Sequence, residues 1–465
     1  MHPLDSSRQP ARRGRTLLLL LALVGLAAGA LATLRVGGEP AIEIATALPG
    51  IGTRTPVTVT VAEPRRGVTR LQLQLVQGER VETLADQSFA PRPAWAFWGR
   101  MEPRVELHQE VGGETVAGLA EGEATLRVTA ERAGTWLRHP RPAVRELTLP
   151  VKLRPPTLGV LLRQHYATQG GSGVVVYRVG EGAVESGVAA GEWWFPGSPL
   201  PGGAPAERFA FYAVPYDLAD AGRVHLVVAD ALGNRGRTSF LDIFTPKPFA
   251  TGTIRLNDEY IGRVVPEILA NTPDFAAQGA PLEQYLAING KLRAVDAERL
   301  RQLARGSRQE ILWHRPFLAM RSGQVMSPFA ERRTYLYDGG AVDEQFHLGF
   351  DLASVARAPI QAANDGVVAW AGFLGIYGNA VVIDHGYGLA SLYGHLSSID
   401  VAVGDRVERG QVIGRSGQTG LAGGDHLHFA MLLDGLPVSP VEWWDPKWIR
   451  DRVAGKLGPA FDYRE

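Results

Sequence analysis

Residues 346–353 read Phe-His-Leu-Gly-Phe-Asp-Leu-Ala, and residues 425–429 read Asp-His-Leu-His-Phe. The first stretch sets His347 and Asp351 four positions apart across a glycine. The second sets His426 and His428 at i and i+2, on one face of a strand. Two imidazoles and one carboxylate, here His347, Asp351 and His428, are ligands that a catalytic zinc uses, with its fourth position left to water. The chain contains no cysteine. Disulfides, cysteine nucleophiles and thiolate zinc sites are therefore excluded, and any metal has to be held by His and carboxylate. Five of the 11 histidines fall between His347 and His428. His385 closes the apolar run Val-Val-Ile-Asp-His-Gly and reads as a structural residue that hydrogen-bonds a turn. His108, His139, His165, His225 and His314 are isolated and read the same way.

The sequence around these residues resembles a known family. Phe346-His-Leu-Gly-Phe-Asp-Leu-Ala, Ala363-Asn-Asp-Gly-Val-Val, Gly378-Asn-Ala-Val-Val-Ile-Asp-His-Gly, Leu392-Tyr-Gly-His-Leu and Asp425-His-Leu-His-Phe occur in family order. Together they resemble the lysostaphin/LytM-type zinc metalloendopeptidases, which cut peptidoglycan peptides. The resemblance covers about residues 318 to 445, and the region before it is more loosely similar to envelope members with extra N-terminal domains. It implies one zinc ion per chain held by His347, Asp351 and His428, with His395 and His426 as catalytic histidines beside the metal. Asn379 matches a family asparagine near the site and is expected to have a supporting, substrate-binding role. Where the family often has a tyrosine just before the first ligand, Val342–Phe346 has none, so Tyr335 or Tyr337 would have to reach in. Val403-Gly-Asp-Arg-Val-Glu-Arg-Gly-Gln-Val-Ile-Gly is similar to the half-barrel hairpin of biotinyl carriers. Its nearest lysines, Lys291 and Lys447, lie far outside the segment, so this likeness concerns fold alone.

Upstream, the pattern is mainly β. Gly and Pro number 55 and 31 in 465 residues, well above their joint average of about 12%, and mark frequent turns. Pro56-Val-Thr-Val-Thr-Val, Leu71-Gln-Leu-Gln-Leu and Ala124-Thr-Leu-Arg-Val alternate with a period of two, as half-buried strands do. The expected architecture has two N-terminal immunoglobulin-like β-sandwich domains (41–153 and 154–247), with Gly233-Asn234 turning the last hairpin. A helical connector (250–316) follows, with Asp258 as a helix cap and Pro281 opening a second helix. The resemblance implies that residues 317–446 form an antiparallel β barrel-sandwich, the duplicated hybrid motif, as the metallopeptidase domain. Residues 447–465 read as a polar tail.

At the other end, Leu17–Leu34 carries no charge and follows Arg8, Arg12, Arg13 and Arg15. Such a helix nearly spans the hydrocarbon core, and the arginine bias keeps residues 1–35 as a cytoplasmic tip and membrane anchor. Cleavage as a signal peptide near Ala30-Leu31-Ala32 is the competing reading. Either way the bulk lies outside the cytoplasm, in the periplasm of a bacterial envelope or secreted. Lys plus Arg and Asp plus Glu are both 48, a balance that gives no electrostatic reason to bind nucleic acid. The expected activity is zinc-dependent hydrolysis of peptidoglycan cross-link peptides, with envelope protein partners meeting the β-sandwich domains. Two alternatives remain, a non-hydrolytic regulator that activates a cell-wall amidase and a wall-binding scaffold. The connector, including 257–271, could also cover the groove.

Overall fold

The computed structural model describes residues 11–34, 36, 38–93, 99–135 and 137–464. The expected cytoplasmic tip, with Arg8, lies outside the described residues, as do the side chains of Arg12 and Arg13. Helix α1 (Ala11–Leu34) forms as expected, with its leucines exposed. Among the described residues, however, no helix is long and apolar enough to cross a membrane. The expected single-pass anchor is therefore not supported.

The rest divides into two units. One comprises the chain up to Pro155 together with Ala229–Arg235; the other comprises Pro156–Val228 and the chain from Gly236 onward. In the first unit, a three-stranded sheet (Ala41–Thr46, Thr55–Ala62, Arg104–Val111) accompanies a four-stranded one (Arg80–Ser88, Val68–Gln77, Gly122–Arg132, Ala143–Val151). The alternation read in the sequence is what fills the core, because every second side chain points inward. Val57, Val59 and Val61 are buried from one sheet, and Leu71, Leu73, Leu126 and Val128 from the other. Asn234, expected only as a turn residue, is fully buried. Its amide donates to the Lys152 carbonyl and its oxygen accepts from the Thr53 N–H, at 2.8 and 2.9 Å.

The second unit contains two further four-stranded sheets, a helical segment and the sheet that carries the histidine cluster. Helix α2 (Asp258–Asn271) is capped by Asn257, whose side chain accepts from the Tyr260 N–H at 2.8 Å, so the cap sits one residue before the expected Asp258. Helices α3 (Pro281–Ala287) and α4 (Arg293–Arg305) follow, joined by a π turn at Ile288–Leu292. Ile261, Val264, Ile268, Tyr285 and Leu292 share one apolar cluster with Tyr335 and Ile376. The helical segment is thus packed against the strand Glu331–Tyr337 and the turn Gly375–Tyr377.

The eight-stranded sheet, which carries Asp351 and His428, is open and lies beside two three-stranded sheets, one of which ends in His347; no closed barrel forms among the described residues. The polar tail is largely helical. Ile449, Val453 and Leu457, spaced by four, are buried along with Phe461, a helical period hidden among charged neighbours.

Glu442 illustrates the cost of burying a carboxylate in this unit. It accepts hydrogen bonds from the Ser172 backbone N–H (2.8 Å) and hydroxyl (3.2 Å). Burial nevertheless pushes it up from 4.5 to about 7. Between those values the folded chain holds a proton that the unfolded chain has released, so stability falls as pH rises through this window. Glu442→Gln removes that loss. The variant's thermal midpoint is expected to fall less from pH 5 to pH 8 than the parent's, by an amount equivalent to about 2–3 kcal/mol. Parallel midpoint–pH curves would contradict this.

Candidate metal centre

Strand register brings the distant motifs together. Phe350–Ala353 pairs antiparallel with Leu427–Leu433 so that Asp351 lies directly opposite His428. On the other side of Leu427–Leu433, Leu389–Gly394 pairs with Gly394 opposite His428, which delivers His395 to the same end. His347 closes the strand Gly340–His347 just before the turn. His347 Nε2, Asp351 Oδ1 and His428 Nδ1 form a triangle with sides of 2.9, 3.0 and 3.1 Å. Donors bound about 2.0–2.1 Å from a tetrahedral ion lie about 3.3 Å apart, so these three atoms are placed to hold one metal ion. All three residues are buried. Two imidazole nitrogens and a carboxylate oxygen at this spacing direct three lone pairs at one point, which calls for a cation.

The neighbours prepare that set. His347 Nδ1 lies 3.2 Å from the Pro328 carbonyl, to which it donates, and 3.1 Å from Ser327 Oγ. This tautomer leaves Nε2 with its lone pair facing the triangle. Arg333 donates to Asp351 Oδ2 at 2.8 Å and to Ser327 Oγ at 2.6 Å, while its Nε bonds Glu331. Burial alone would raise the Asp351 carboxyl, but His347 and the other imidazoles outweigh it and hold the group well below the usual carboxylate range. Gly349 is required by packing, because a Cβ there would stand 2.5 Å from His428 Cε1 and Nε2. Sequence reading missed Arg333.

His395 and His426 flank the triangle, with ring centroids 4.8 Å apart. His395 adopts a left-handed backbone (φ +63°). Its N–H donates to the Tyr377 carbonyl at 2.7 Å, and its Nδ1 donates to the Thr419 carbonyl at 2.8 Å. Burial and the two neighbouring imidazoles lower it well below 6.5. His426 donates through Nδ1 to the Gly424 carbonyl at 2.8 Å, and its Nε2 stands 3.4 Å from Asp351 Oδ1. Burial works against protonation of His426, but the Asp351 carboxylate overcomes it and raises the group. Both rings thus have Nδ1 tied to a carbonyl, and Nε2 of His426 faces Asp351. His385 is fully buried, with Nδ1 on the Asp365 carbonyl and Nε2 on Ser391 Oγ.

Asn379 does not line the cleft. Its side chain donates to the Leu396 carbonyl at 3.2 Å and its N–H to Thr419 Oγ1 at 3.0 Å, which supports the backbone on both sides of His395. Tyr335 lines the cleft, whereas Tyr337 turns its hydroxyl to Asp258. Tyr377, which sequence reading passed over inside Gly375-Ile-Tyr-Gly-Asn379, lies with its ring 5.3 Å from that of His428. Burial pushes its hydroxyl up to about 12, so it remains a donor.

These residues floor a cleft of about 670 Å³ whose other wall comes from the helical segment, with Tyr260, Tyr285 and Arg293. Two further contacts fix that wall. Asp296 of α4 accepts from the Ile376 N–H at 2.9 Å, and Arg263 of α2 donates to the Gln418 and Ala422 carbonyls.

The stretch that carries this site also matches known proteins. The sequence profile of peptidase family M23 matches residues 345–440. Over 97 residues the chain is 44% identical to the DD-carboxypeptidase/endopeptidase Mpg of Neisseria meningitidis serogroup B, covering 21% of this chain and 22% of that protein. Over 96 residues it is 42% identical to the peptidoglycan DD-endopeptidase ShyA of Vibrio cholerae, with the same coverages. A crystal structure of an M23 peptidase from Pseudomonas aeruginosa aligns over 61% of this chain and 96% of its own, at 24% identity and a TM-score of 0.35. The match spans about a fifth of the length of the curated relatives. Within those bounds, residues 345–440 of this chain match the peptidase M23 family.

Proposed function

We propose that the protein is a zinc-dependent endopeptidase that hydrolyses peptide cross-links of peptidoglycan in the bacterial envelope. The carrying observation is the donor triangle of His347, Asp351 and His428, with sides of 2.9–3.1 Å, on the floor of a cleft. Zinc bound there would lower the pKa of a water toward ~7 and polarise the scissile carbonyl. His395 and His426 line the cleft, one to take a proton from the attacking water and one to hydrogen-bond the developing oxyanion. Arg333 holds Asp351 through the oxygen that the triangle leaves free. Tyr377 lies beside His428 as a protonated donor. The amidase-activator reading is disfavoured because such a role needs no intact donor set, and here the set is complete.

Digestion of purified sacculi with zinc, followed by mass analysis of the products, tests the proposal. Release of monomeric muropeptides from cross-linked dimers, stopped by a chelator and restored by zinc, is the expected result. Intact dimers after prolonged incubation would refute it. Gly349→Ala probes the packing behind the site. Its new Cβ is expected to push the His428 ring off the triangle and weaken zinc binding at least tenfold, read by competition with a chromophoric chelator; unchanged affinity would show that the ring yields without cost.

A further inference from the structure

A second cavity, of about 430 Å³, lies in the second unit among the strand Trp193–Pro196, the end of α4 and the hairpin turn at Tyr387. Its size falls in the range of small-ligand sites, about 300–1,000 Å³. Trp193, Phe209 and Tyr387 supply aromatic surface. Phe209 meets Tyr387 edge to face at 4.9 Å and so fixes the tyrosine ring. The Arg301 guanidinium lies 5.4 Å from the centre of the Trp193 ring.

Two features of the lining bear on what the cavity could take. Asp434 turns a carboxylate toward this cavity that no donor among the described residues satisfies, and burial alone pushes it up to about 7. The residue is half-buried, so its carboxylate stands as an open acceptor at the cavity's rim. Tyr387 adopts φ +49° in a two-residue turn, where Asn or Gly folds without strain. The chain instead places an aromatic ring there. Such strain is retained where a side chain is needed.

We propose that this cavity is a sugar-binding subsite that takes a neutral pyranose chain. A pyranose offers a C–H face to an aromatic ring and hydroxyl donors at its rim to a carboxylate. Arg301 is paired with Glu298 and Glu192 with Arg223, so these charges are engaged by neighbours rather than offered to a charged ligand. The position fits as well. Helix α4 contributes Arg293 to the metal cleft, and Arg301 and Arg305 to this cavity. The two sites are therefore about 12–18 Å apart along the helix. A four- or five-residue extended peptide spans about 14–17 Å, the reach between a sugar chain and a cross-link carried on it. This spacing argument rests on the peptidoglycan reading; the cavity argument does not.

Titration of the full chain with chitotetraose and with cellotetraose, followed by tryptophan fluorescence and calorimetry, tests the subsite. Saturable binding of at least one is expected, weakened tenfold or more in both Trp193→Ala and Tyr387→Asn. Asn suits the left-handed turn, so Tyr387→Asn is expected to keep its thermal midpoint within a few degrees and to separate ligand loss from misfolding. Binding of chitotetraose alone identifies an N-acetylated wall glycan, and binding of both a general neutral glycan. His347→Ala is expected to bind the sugar like the parent, so a failed metal reading leaves this result standing. No saturable binding of either sugar, or unchanged affinity in both variants, overturns the proposal.

Discussion

His347→Ala is expected to reduce bound zinc from one equivalent per chain to none and sacculus digestion to background. His347 supplies one of three donors, and its ring is the one whose orientation is set by a carbonyl behind it. Removing it leaves Asp351 Oδ1 and His428 Nδ1 3.1 Å apart with a void where the third donor stood. Two donors do not hold zinc against dialysis in a site that uses three. Metal analysis of the dialysed variant decides the matter before any assay of activity. Retention of one equivalent would sink the ligand assignment even if activity were lost.

The second large effect belongs to the flanking histidines. His395→Asn and His426→Ala are each expected to lower the rate of cross-link hydrolysis on the order of 10²–10³-fold while zinc stays at one equivalent. Asparagine is chosen at position 395 because the backbone there is left-handed, at φ +63°, which alanine tolerates poorly. Neither ring contributes a donor to the triangle, so metal content separates these variants from His347→Ala. A rate within tenfold of the parent in either would remove that residue from the chemistry.

Much of this was legible in the chain. The alternation of Val57, Val59 and Val61 and of Leu71 and Leu73 announced half-buried strands, and these residues do form the core of the first unit. The H-x-G-x-D and H-x-H spacings carry a local physical logic, because i, i+2 shares a strand face and a glycine lets the ring of His428 approach the turn. Arg333 and Tyr377 were not legible. Arg333 has an ordinary strand neighbourhood, and only the pairing of Glu331–Tyr337 with Gly340–His347 brings it against Asp351. Asn379 shows the converse, since its sequence position suggested the cleft and its amide is used on the Leu396 carbonyl.

By itself the sequence determined the metal chemistry available: without cysteine, only histidine and carboxylate could serve, and only one stretch gathers them. It also determined the β character, since a period of two is a property of neighbouring residues. The tertiary structure alone decided that Asp351 faces His428, 77 residues away in sequence, across a strand ladder. It alone turned the expected connector into a wall of the cleft, through Asp296 and Tyr285. The reason is common to both: register and helix docking are set by which apolar faces bury one another, and that pairing is written in no local stretch of the chain.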